Sequence, residues 1–115
     1  VSVADEFDKA LNQGMVRLSI DEWAITKVRE QALVGLSASE AFESITGILK
    51  LAGDQIDEYA FSSCCWFAMD LAKRSDTTEP PSGVADALAS LRPVAAKFDA
   101  GEELTKIASW YRLTI

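Results

Sequence analysis

Apolar residues recur at three- and four-residue spacings along most of this chain, and no run shows sustained alternation of β-branched residues. The pattern therefore predicts helices and no sheet, with only residues 15–18 extended enough in character to suggest a strand. An all-α fold of five to six antiparallel helices follows, arranged as a compact bundle or a short stack of helical hairpins. Residues 54–74 form the longest periodic stretch without Gly or Pro. Within it Ile56, Tyr59, Ala60, Ser63, Cys64, Phe67 and Leu71 fall on one stripe, and Phe61, Trp66, Ala68 and Met69 add apolar bulk on its flanks. A central helix is predicted there, buried nearly all round and capped at its start by Asp54.

Upstream, Val3, Phe7, Ala10 and Leu11 mark a first helix that ends near Asn12, with Gly14 as its left-handed stop. Ser19 and Glu22 have the spacing of a capping box, with Leu18 placed to staple against Trp23. A second helix is expected from that box, with Ile20, Ala24, Val28 and Ala32 inward and Gly35 at its C-terminal end. The same grammar at Ser37 and Glu40 opens a third helix, whose stripe is Ala41, Phe42, Ile45, Ile48, Leu49 and Ala52 and whose end is Gly53.

Residues 75–83 hold two prolines and several turn formers and predict the one long loop. Beyond it Val84, Leu88, Leu91, Val94, Ala95 and Phe98 continue an amphipathic pattern, interrupted or kinked at Pro93 and broken again at Gly101. Leu104, Ile107, Ala108 and Tyr111 define a closing helix with Trp110 at the edge of its face. Phe42, Ile45, Leu49, Ile56, Phe67 and Leu71 are the expected core. Too little chain follows the loop to make a second domain, so residues 1–115 are read as one helical domain. No repeat with a period of 34 to 45 residues is expected.

Composition narrows the function. Hydrophobic residues are 49% of the chain and charged residues 25%, the proportions of a globular domain. The net charge of −7 disfavours phosphate backbones and anionic lipid and favours basic partners, so neither a nucleic-acid nor a membrane partner is expected. No apolar run approaches the ~20 residues needed to span a bilayer, and no secretory leader is read. Cys64 and Cys65 are adjacent and cannot close an ordinary disulfide within a helix, which fits a cytoplasmic location.

Histidine is absent, which removes the usual base near neutral pH and the commonest transition-metal ligand. The cysteines lack both a histidine partner for nucleophilic chemistry and the spacing of a zinc knuckle, and no glycine-rich phosphate loop occurs. No catalytic residue, metal site or cofactor is therefore assigned. Glu40 and Glu43 followed by Asp54 and Asp57 resemble the paired carboxylates with which all-α nucleotide pyrophosphohydrolases hold magnesium. In antiparallel helices, however, the two pairs stand roughly 20 Å apart, and helix capping accounts for all four positions.

The acidic excess lies in the first half, where residues 1–58 hold eleven acids and five bases against seven and six in the rest. An up-and-down arrangement brings Asp21 and Glu22 near Asp54, Asp57 and Glu58, with Glu102 and Glu103 as neighbours, and makes an acidic pole suited to a basic partner. A short, acidic, all-α chain with the segment 75–81 after a buried helix and the ending Trp110, Tyr111, Arg112 resembles the small bacterial immunity proteins of polymorphic and contact-dependent toxin systems. That resemblance implies binding to a cognate basic toxin and blockage of its active site. The alternatives are a helical adaptor or structural subunit and, ranked below it, a metal-dependent nucleotide pyrophosphohydrolase.

Overall fold

A computed structural model describes residues 2–114; Val1 and Ile115 lie outside the described residues. The described residues form six helices and no strand: α1 (Val3–Arg17), α2 (Ala24–Leu33), α3 (Ala38–Gly53), α4 (Glu58–Ser75), α5 (Val84–Lys97) and α6 (Gly101–Trp110). Residues 15–18, the one candidate strand, lie in the last turn of α1 and its cap.

α4 is the element the others pack on. Eleven of its eighteen residues are buried, which leaves it no broad polar face. The Asp57 carboxylate accepts from the Ala60 N–H at 3.0 Å and starts the helix, Lys73 and Arg74 complement the dipole in its last turn, and Asp76 ends it in the left-handed conformation at φ 56°. One continuous apolar cluster draws on all six helices, including Phe7, Ile25, Ile45, Phe61, Leu88 and Leu104. α3 packs most extensively on α4, and the rings of Phe7 and Phe67 stack at 4.2 Å and 10°. That stack ties α1 to α4.

Two polar contacts fix how α2 meets α4. Arg29 pairs with Asp70 at 3.1 Å and lies over the Trp66 ring, 5.5 Å from its centroid. Arg74 donates to the carbonyls of Leu33 at 3.1 Å and Leu36 at 2.8 Å, which serves the end of α2. Both contacts advance in the same direction along the two helices, so α2 and α4 run in the same sense where they touch. The long loop is held from two sides, by Thr46 donating to the Ser82 carbonyl at 2.8 Å and Trp110 Nε1 donating to the Thr77 carbonyl at 2.9 Å.

The Ser37–Glu40 capping box is present in full, and Gly35 takes φ 79° after α2. Other boundaries differ from the expectation. α1 does not stop at Asn12, because Gly14 is a contact residue and not a cap: a Cβ there would lie 2.9 Å from Ile25 Cδ1 and 3.0 Å from Val28 Cγ2. α2 starts at Ala24 and not at Ser19, since Asp21 organises the preceding turn and the box with Glu22 does not form. Asp54 is the C-cap of α3, and the N-cap of α4 is Asp57. Pro93 does not interrupt α5; the carbonyl of Ala89 that it leaves without a helical donor is on an exposed residue. Gly101 opens α6, and the break before it is made by Asp99 at φ 54°.

Of the expected core, Ile45, Leu49, Phe67 and Leu71 are fully buried and Phe42 is half-buried. Ile56 is the exception, at 91% exposed, and Ile20, expected inward on α2, is 87% exposed. Both precede the helices to which periodicity assigned them.

Candidate functional site

The exposed isoleucines belong to a local pattern. The α1–α2 connection and the start of α2 read Ile20, Asp21, Glu22, Trp23, Ala24, Ile25, and the corresponding stretch at α4 reads Ile56, Asp57, Glu58, Tyr59, Ala60, Phe61, 36 residues later. Exposure follows the same order in both. The isoleucine is bare, the two acids follow, the aromatic is exposed at 60% for Trp23 and 37% for Tyr59, and the last two residues enter the core. A recurrence with a 36-residue period is thus present after all, limited to six residues.

The aspartate does local work at each tip. Asp21 Oδ1 accepts from the Trp23 N–H at 3.0 Å while its Oδ2 takes Lys27 Nζ at 2.7 Å. The Lys27 hydrogen bond, and after it the Trp23 N–H, hold the Asp21 carboxyl below the usual carboxylate range. Asp57 instead reaches one residue farther, to Ala60, which is why α4 begins two residues earlier in the pattern than α2. The Tyr59 ring meets Trp66 edge to face at 5.9 Å, so that aromatic leans on the body of α4.

Of the predicted docking residues, Asp54, Asp57 and Glu58 share the α3–α4 connection, and Asp21 and Glu22 share the α1–α2 connection. Because α2 and α4 run in the same sense, both connections face one end of the molecule. No hydrogen bond or ion pair joins the two sets among the described residues. Glu22, Asp54, Asp57 and Glu58 form no ion pair among the described residues, whereas Asp21 is already paired with Lys27. Glu102 is likewise paired, with Lys106 at 3.5 Å, and Glu103 stands close enough to Cys65 to raise its thiol pKa.

A groove of about 530 Å³ between α1 and α2 adjoins the first tip. Ala10, Gly14, Ala24, Val28 and Ala32 line it, and Arg17, Asp21 and Lys27 lie at its charged end. Neither cysteine is poised for chemistry: both are buried, and burial pushes the Cys65 thiol up to about 12 and the Cys64 thiol up as well. Glu40 is committed to its capping box, where the Ser37 N–H and hydroxyl hold its carboxyl below the usual range. Among the described residues no group of three or more potential ligands is placed to hold a metal ion, and no helix is long and apolar enough to cross a membrane.

Compared with protein-family models, curated proteins and solved structures, the chain matches none.

Proposed function

We propose that this chain is a binding protein for a basic protein partner, and that the partner is a toxin domain whose active surface it covers, as the resemblance to immunity proteins implies. One observation carries the reading. Ile20, Trp23 and Ile56 are largely bare to solvent on the two connections that carry Glu22, Asp57 and Glu58, which form no ion pair among the described residues; Val16 and Val34 are the other large apolar residues as exposed as these. An aromatic and aliphatic centre with a charged surround is the usual composition of a binding hot spot, and the acids select a basic surface.

The sign of the charge also argues against self-association through this end, since two copies would oppose like charges. The test is co-expression with the product of the adjacent open reading frame. Restored growth, with a complex recovered by purification, supports neutralisation. Growth arrest despite abundant folded protein counts against it, and recovery with a non-toxic assembly would favour an adaptor role.

A further inference from the structure

Folding explains the aspartate and the last two residues of the recurring tip, but not its isoleucine and glutamate. In both copies the isoleucine is exposed, at 87% for Ile20 and 91% for Ile56, and it makes no contribution to the core cluster. Two unrelated turns have no steric reason to present the same Ile, Asp, Glu, aromatic order with the same gradient of exposure. The two turns are also built differently, since Asp21 accepts from the N–H two residues ahead and Asp57 from the N–H three ahead, so a shared turn geometry does not account for the shared side chains. Beyond the capping aspartate and the two residues that enter the core, the copies share an exposed isoleucine and an exposed glutamate.

We infer that the two tips are a duplicated recognition element, and that one basic protein surface engages both at once, placing each isoleucine in an apolar recess flanked by lysine or arginine. This rests on the reading of the chain as a binder of a basic protein and adds that recognition is two-pronged. The parallel course of α2 and α4 turns both tips to one end, so a single partner can meet them together. Glu22 and Glu58, each two residues after the isoleucine and without an ion pair among the described residues, supply the charge selection twice over. The α5–α6 connection does not add a third prong: Phe98, at its start, turns inward against Phe61 with ring centroids 5.5 Å apart.

The probe is a synthetic amphipathic peptide of alternating lysine and leucine faces, compared with a lysine–serine peptide of equal charge and a glutamate–leucine peptide. Amide shifts of the isotope-labelled full chain locate binding. The lysine–leucine peptide should move residues 20–23 and 56–59 along one binding curve, and the other two should bind at least about tenfold more weakly. Ile20→Ser and Ile56→Ser, each at a bare position, should each weaken binding about five- to tenfold, and the double substitution about 25-fold or more. Shifts at one tip only, two separate curves, or undiminished binding by the double variant would overturn the two-pronged inference. Binding of the lysine–leucine peptide elsewhere on the chain would overturn it too, yet leave the basic-partner reading standing. That reading fails separately, if co-expression of the unaltered chain gives no protection.

Discussion

Replacing Phe67 by alanine tests the central position of α4. Phe67 is fully buried and stacks on Phe7, so the substitution removes a large side chain from the contact that joins α1 to α4. Loss of transfer energy and the cavity left behind together cost about 3–5 kcal/mol where the surroundings cannot collapse. A domain of this length has a total stability of ~6–17 kcal/mol, so the variant should remain folded but lose a large part of its margin. With a urea slope of about 1–3 kcal/mol/M, the midpoint should fall by ~1 M or more at an unchanged slope, followed by circular dichroism. The stack itself can be isolated by a double-mutant cycle with Phe7→Ala, where a coupling of about 0.5–1.5 kcal/mol is expected. A midpoint unchanged from the parent, or a coupling indistinguishable from zero, would show that α1 is not held to α4 through these rings.

Three further outcomes follow from local geometry. Both thiols should resist an aromatic disulfide reagent at pH 8 in the native chain and react on unfolding, because burial disfavours the thiolate; rapid native-state labelling of either would contradict the packing. Glu40 should titrate below an ordinary glutamate by carboxyl-carbon NMR. Its depressed pKa means that its stabilisation of α3 is present at neutral pH and is lost as the pH falls through the folded-state value, and Ser37→Ala should move the titration back toward the ordinary one. Gly14→Val should destabilise by about 1–3 kcal/mol through overpacking against Ile25 and Val28, and a raised thermal midpoint would refute the close approach of α1 and α2.

Much of the fold was legible because its signals are local. The Ser37–Glu40 box, Gly35, and the stripes through Ile45, Leu49, Phe67 and Leu71 each state their structure within a few residues. The helix starts were harder. Asp54 and Asp57 are both good capping residues three positions apart, and only the path of the chain from α3 selects the second. Glycine carries the same ambiguity, since Gly14 as a stop and Gly14 as a close contact read alike until Ile25 and Val28 are in place. The candidate surface was half legible. Its acids were visible as charge, but Ile20 and Ile56 continue the apolar period of the helices that follow and were absorbed into them. The recurring Ile, Asp, Glu, aromatic order was the one signal in the sequence that could have separated them.

The most direct measurement is growth protection by a chain carrying Ile20→Ser, Trp23→Ser and Ile56→Ser, co-expressed with the toxin domain proposed as its partner. These positions are exposed, so their removal should change stability by only about 0.5 kcal/mol each. Asp21, Asp57 and Tyr59 stay unaltered because they hold local structure. The account predicts a chain with an unchanged thermal midpoint and expression level that no longer protects. Full protection by that folded variant would contradict it and move the binding surface away from this end of the molecule.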